Sequence, residues 1–275
     1  MYGSALLLLL VGGLAVDRAG LKTGRFGWAG AVYVVAFSTV ALKELCAILG
    51  RAGLAVHSAL LLWLGVGVLA AQSLMVAFLG TPRAGTAGVG LLGLMFAVLI
   101  FDALRVPDVG AGSRRLAGSL VGVGFVAMIG CLLHVLGRYD TNVLFSLVIA
   151  MKSSDIGAYL GGWFFGKRPL IPHVSPGKTI EGAVGGIVLT IAASALLFPA
   201  LGGGRWSLGG ALALGAVLSA ACQLGDLAES LLKRAAGVKD SGRLVPQFGG
   251  ALDMLDSLWL GAPIGLWALH GLEAA

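Results

Sequence analysis

Apolar segments long enough to cross a bilayer follow one another along nearly the whole chain. They run over residues 4–16, 28–49, 58–79, 86–104, 116–136, 143–164, 180–201, 207–225 and 254–272, separated by short polar loops. Roughly 20 residues of helix span the hydrocarbon, so most of these suffice and the first is short. Of the 275 residues only 12% are charged, whereas a soluble domain carries about 25%. Too little polar surface remains to cover a water-soluble globule. The expected fold is all-α, a polytopic integral membrane protein with about eight or nine transmembrane helices.

The 45 glycines fall inside the apolar runs, where small residues let membrane helices approach closely. Such faces are compatible with a homodimer and equally with packing inside one chain. The net charge of +6 points, in a membrane chain, to an anionic lipid surface or a phosphorylated ligand rather than to nucleic acid. Cys46, Cys131 and Cys222 lie far apart in apolar runs; they have no metal-ligand spacing and are expected to be small core residues. His57, His134, His173 and His270 are isolated, with no Ser-His-Asp order or HExxH helix. No basic n-region precedes the run from Ser4 to Val16, so it is expected to be retained rather than cleaved as a signal.

Loops 105–115, 165–178 and 229–250 carry three, three and four Lys/Arg, while the loops near Arg83, Arg138 and Arg205 carry one each. The positive-inside rule places the rich loops in the cytoplasm and the C-terminus outside. The loop with Arg18, Lys22 and Arg25 runs against this order in a nine-span count. Either the first segment does not cross or another span is miscounted.

Charge concentrates in residues 226–256, which hold Asp226, Glu229, Asp240, Asp253 and Asp256 together with Lys233, Arg234, Lys239 and Arg243. Ionisable groups at the edge of apolar helices are expensive and tend to line a polar cavity. Asp226, Glu229, Ser230 and Lys233 fall at i, i+3, i+4 and i+7, one face of a helix. Asp253, Asp256 and Ser257 repeat the first three positions of that pattern. Two acidic faces with hydroxyls suit a hard divalent cation such as Mg²⁺, and two metals fit phosphoryl-group chemistry. The same spacing also describes an interfacial helix whose charges snorkel to water. Glu44, inside the second apolar segment beside Lys43, either sits near the interface or faces the bundle interior.

A second polar block runs from Lys152 to Glu181. Asp155 follows an apolar run. Gly157, Gly161, Gly162 and Gly166 include two i+4 pairs suited to tight helix packing. Ser175-Pro-Gly-Lys178-Thr179 precedes the next span. A Walker A loop is excluded, because the first glycine of that pattern falls on Pro172 and no preceding strand is expected. A small-residue turn feeding a helix N-terminus beside a lysine still suits phosphate, although an ordinary basic loop has the same composition.

Ser230-Leu-Leu-Lys233-Arg234, four residues, Lys239-Asp240-Ser-Gly242, two residues, Val245-Pro246, then Gly249-Gly250, Asp253 and Asp256 run over 27 residues with fixed gaps. This stretch closely resembles the signature of the phosphatidate cytidylyltransferases (CDP-diacylglycerol synthases). Asp155-Ile-Gly157-Ala-Tyr159 through Gly166-Lys167, and Ser175-Pro-Gly-Lys178-Thr179-Ile-Glu181-Gly182, resemble the family's second block, so the likeness covers residues 153–257. Phe248 stands where the pattern has histidine, Met254 where it has arginine, and Ala251 where it has a larger apolar residue. Phe248 cannot transfer a proton and Met254 cannot bind phosphate as a cation does.

The resemblance implies transfer of CMP from CTP to phosphatidate in the bilayer, releasing pyrophosphate and forming CDP-diacylglycerol. It implies one membrane domain, 1–275, in which 1–150 are a lipid-facing helical scaffold and 151–275 carry the catalytic helices and cytoplasmic loops. The implied cofactor is Mg²⁺ in a two-metal site, with Asp226 and Asp253 as leading ligands and Ser230 and Asp256 in support. Lys233, Arg234 and Lys239 are expected to hold phosphates. Ser175, Lys178, Thr179 and Asp240 would contact nucleotide or headgroup, with Asp155 and Glu181 orienting the cations. The expected place is a cell inner membrane with the site on the cytoplasmic side. Other lipid phosphates, such as archaeol-type or polyprenyl phosphates, fit the same chemistry. An ion-coupled transporter or a non-catalytic scaffold are the readings from other classes.

Overall fold

The computed structural model describes residues 27–202, 205–242 and 249–273. The segment 4–16, the basic residues Arg18, Lys22 and Arg25, and Arg243, Val245, Pro246 and Phe248 lie outside the described residues. Eight helices appear among those described: α1 (Trp28–Arg51), α2 (Ser58–Leu79), α3 (Thr81–Leu104), α4 (Val109–Arg138), α5 (Thr141–Phe165), α6 (Ile180–Leu201), α7 (Leu208–Ala235) and α8 (Ala251–Glu273). Seven of them, α1 to α7, are long and apolar enough to cross a membrane. In α8 the charges of Asp253, Asp256 and Glu273 dilute the hydropathy.

One difference from the sequence expectation is a short antiparallel hairpin between α5 and α6, formed by β1 (Pro169–Ile171) and β2 (Ser175–Thr179). Strand preference is weak in Ser-Pro-Gly-Lys-Thr, so periodicity does not announce it. β2 runs directly into α6 with Pro172 in its turn, so the Walker A loop stays excluded. A second difference is α7, which continues to Ala235, ten residues past the apolar segment. Hydropathy ends at 225, but Leu, Ala, Glu, Lys and Arg are all good helix formers.

The described residues form two compact units, one from residues 27–141 with 232–242 and 249–255, the other from 142–202 and 205–231 with 256–273. In the first, α1, α2, α3 and α4 pack on one another around Leu42, Leu45, Leu61, Leu69, Phe125 and Ile129, all fully buried. Gly122 lets Leu61 lie against the backbone of α4. Asp108 caps α4 by accepting from the Ala111 N–H. His57 and Arg115 both meet Asp102, at 3.0 and 3.4 Å, which braces a span end. Cys46 is buried among the core residues as expected.

In the second unit, α5 and α6 touch backbone to backbone. A Cβ at Gly157 would strike the Gly185 carbonyl, and one at Gly185 would strike the Gly157 carbonyl. The buried Thr190 hydroxyl donates within its own helix to the Gly186 carbonyl at 2.8 Å. Hydrocarbon offers no other acceptor. Large apolar side chains cover the outside of both units, among them Trp63, Phe78 and Val89 in the first and Phe164, Leu196 and Trp267 in the second. Such surfaces call for lipid rather than water.

Gly185→Leu should overpack the α5–α6 contact at about 1–3 kcal/mol and lower the melting temperature of the purified protein in detergent. Gly67→Leu, with open space around its Cβ direction, should leave that temperature unchanged.

Candidate active site

Charged side chains gather in both units. In the second unit, α7 presents Asp226 and Glu229 one turn apart, and Asp256 of α8 joins them. One carboxylate oxygen of each lies within 4.8 Å of the others. Gly225 permits this approach, because a Cβ there would meet the Asp256 carbonyl. Glu229 is fully buried, and Asp226 and Asp256 are half-buried.

Two lysines answer these carboxylates. Lys178 of β2 places Nζ 2.6 Å from Asp226 Oδ2. Lys152 of α5 donates to Asp155 Oδ2 at 2.8 Å, to Ser257 Oγ at 2.8 Å and to Asp256 Oδ1 at 3.4 Å. Ser257 Oγ in turn donates to Asp155 Oδ2 at 3.0 Å. With all six groups ionised, the four carboxylates and two ammonium groups leave two negative charges, which matches one divalent cation. Buried charge of one sign is costly unless neutralised, and carboxylate oxygens are ligands for a hard metal. The donor set therefore fits a metal site.

At the hairpin, Thr179 caps α6 by accepting from the Gly182 N–H at 3.0 Å. Glu181 accepts from the Lys167 and Arg168 N–H groups and from Arg168 Nε, each at 3.1 Å. Ser175 is half-buried at the start of β2. Glu181 thus orients Arg168, and Asp155 orients Lys152, rather than the lysine of the Ser175–Thr179 turn.

In the first unit, Lys233 Nζ donates to Asp253 Oδ1 at 2.7 Å. Asp253 Oδ2 accepts from the Gly250 N–H at 2.7 Å, the Ser241 N–H at 2.9 Å and Ser241 Oγ at 2.9 Å. Arg234 Nη1 donates to the Val238 carbonyl at 3.4 Å. Arg234, Lys239 and Asp240 are exposed.

Of the expected ligands, then, Asp226 and Asp256 meet at the acidic cluster, Ser230 lies buried next to Glu229 on α7, and Asp253 is held by Lys233 and Ser241. Two residues outside the expected ligand and substrate-binding sets take a place here. Glu229, which helical spacing put on the acidic face with Asp226, completes the cluster. Lys152 meets α8 at Asp256, two residues past Met254, where the signature has arginine; its i, i+3 spacing to Asp155 was the clue. Glu44 faces inward, accepting from Ser241 Oγ at 2.9 Å and from the Leu252 N–H at 2.8 Å.

Over residues 7–271 the chain matches the Cytidylyltransferase family. It belongs to that family. Among curated proteins it is similar to the phosphatidate cytidylyltransferase of Helicobacter pylori, 41% identical over 150 residues, covering 54% of this chain and 53% of the relative. The phosphatidate cytidylyltransferase of Mycobacterium leprae is 42% identical over 126 residues, 46% of this chain and 39% of the relative. The uncharacterized protein YnbB of Escherichia coli is 43% identical over 122 residues, 44% of this chain and 40% of the relative. The chain spans about half or less of the length of these relatives.

Glu229→Gln removes one of the three carboxylates of the cluster. With the cluster as a cation site, Mg²⁺ binding should weaken about tenfold or more, as read by calorimetric titration of the purified protein.

Proposed function

We propose that this protein transfers CMP from CTP to phosphatidate within the membrane, releasing pyrophosphate and forming CDP-diacylglycerol. The observation that carries the reading is the cluster of Asp226, Glu229 and Asp256 with Lys178 and Lys152 beside it, in a chain of the Cytidylyltransferase family. The names of the Helicobacter and Mycobacterium relatives support the choice of acceptor.

The chemistry asks for electrostatics more than for proton transfer. A lipid phosphate oxygen attacks the α-phosphorus of CTP, and the bond from that phosphorus to the bridging oxygen of the β-phosphate breaks. The attacking oxygen is already ionised near neutral pH, because the second pKa of a phosphate monoester is about 6. No general base is needed. Two anions must meet, and negative charge must be stabilised on the leaving pyrophosphate.

Asp226, Glu229 and Asp256 would hold Mg²⁺, with Ser230 in support beside Glu229 on the same helix, and Asp253 would hold Lys233. Bound there, the metal supplies positive charge to the transferring and leaving phosphates. Lys178, Lys233, Arg234 and Lys239 hold phosphate oxygens, and Ser175 and Thr179 form the polar turn beside Lys178. Asp155 keeps Lys152 in place, Glu181 keeps Arg168 in place, and Asp240 lies next to Lys239. The Lys/Arg-rich loops support a site on the cytoplasmic side of a cell inner membrane.

Purified protein in detergent, given Mg²⁺, phosphatidate and CTP, should form CDP-diacylglycerol. Asp226→Asn and Asp253→Asn should each lower turnover by about a hundredfold or more. Excess polyprenyl phosphate should not compete with phosphatidate. No lipid product under conditions where the Helicobacter relative turns over would sink the reading.

A further inference from the structure

We infer that Glu44, far outside the signature stretch, is the positioning residue for Ser241 and for the first turn of α8, Gly250–Asp253. The inference rests on the activity proposed above and adds a residue to it. All the groups involved belong to the first unit.

The starting point is an unusual helix start. α8 begins at Ala251, so its N-cap position is Gly250, which has no side chain to accept a hydrogen bond. The first N–H groups of a helix have no partner within it and need acceptors from elsewhere. Three side chains provide them. Asp253 reaches back to the Gly250 N–H at 2.7 Å, in the manner of the acidic half of a capping box. Glu44 Oε2 takes the Leu252 N–H at 2.8 Å. Ser241 Oγ takes the Asp253 N–H at 3.3 Å. Ser241 Oγ also lies 2.9 Å from both Glu44 Oε2 and Asp253 Oδ2. It has one proton to give, so it links the two carboxylates through a single donor.

Steric constraint agrees with the hydrogen bonding. A Cβ on Gly242 or on Gly250 would run into the Glu44 carboxylate. Both glycines are therefore required where they stand because Glu44 occupies the space a side chain would need. Ser241, Gly242, Gly250 and Asp253 are all signature positions, and each touches Glu44 or would collide with it if enlarged, except Asp253, which shares the Ser241 hydroxyl with it. A carboxylate on an apolar helix is expensive. An apolar residue would fill the volume but would leave the Leu252 N–H and the Ser241 hydroxyl without this acceptor. Glu44 thereby sets the height and direction of the first turn of α8, which orients Asp253 towards Lys233.

Three variants test this in the full chain, beside wild type: Glu44→Ala, Glu44→Gln and Ser241→Ala. Turnover and the KM for CTP are measured in the lipid-product assay. Amide hydrogen exchange over residues 250–253 is measured on the same preparations without substrate. Glu44→Ala should lower kcat by about tenfold or more, change the CTP KM less than twofold, and speed amide exchange over 250–253. Glu44→Gln keeps a carbonyl oxygen for both donors and should recover most of kcat and most of the exchange protection. Ser241→Ala, which leaves the helix contacts of Glu44 intact, should lower kcat in the same way but less.

Wild-type turnover in Glu44→Ala, or equal loss in Glu44→Ala and Glu44→Gln, would overturn the inference. So would unchanged exchange at 250–253. If Glu44→Ala does not fold, Glu44→Gln and Ser241→Ala decide between the same outcomes. A wild-type protein that makes no CDP-diacylglycerol contradicts the proposed activity instead, and the exchange result then still judges the role of Glu44.

Discussion

Asp226, Glu229 and Asp256 bring three carboxylates within 4.8 Å of one another on helices that are otherwise apolar. Mutual repulsion and burial both oppose that arrangement. It persists because cations answer it: Lys178 on Asp226, and Lys152 on Asp256 and Asp155. With every group ionised two negative charges are left over, a surplus that one divalent cation would balance.

The geometry around the cluster follows from small residues. Gly225 lets α8 approach α7 at Asp256, and the Gly157–Gly185 contact brings α5 against α6. With no hydrophobic drive between helices in lipid, such close approach is what holds them. In the first unit the same device serves a polar end: Gly242 and Gly250 leave room for a carboxylate, and the carboxylate holds a helix start. Backbone contact thus does in one place what hydrogen-bonded capping does in the other.

Much of this was legible in the chain. Helix positions followed from hydropathy, with Ser58–Leu79 and Ile180–Leu201 matching the apolar segments at both ends. Helical spacing put Asp226 and Glu229 on one face. What spacing cannot show is which residues meet across the fold. Asp256 joins that face from 27 residues further on, and Ser241 finds Glu44 from 197 residues away. Lys152 looked like part of a polar block, and its contact with Asp256 spans 104 residues. The hairpin leaves no mark in the pattern because Ser-Pro-Gly carries no strand period, and the end of α7 leaves none because its polar residues keep the helix while ending the apolar run.

The reaction itself is tested most directly by following the α- and γ-phosphates of CTP separately. Purified protein is given phosphatidate, Mg²⁺ and CTP labelled with ³²P at either the α- or the γ-position. Label from the α-position should appear in the lipid, and label from the γ-position should appear only in pyrophosphate. γ-Label in the lipid would mean phosphoryl transfer, and label in free phosphate alone would mean hydrolysis; either would contradict CMP transfer by this protein.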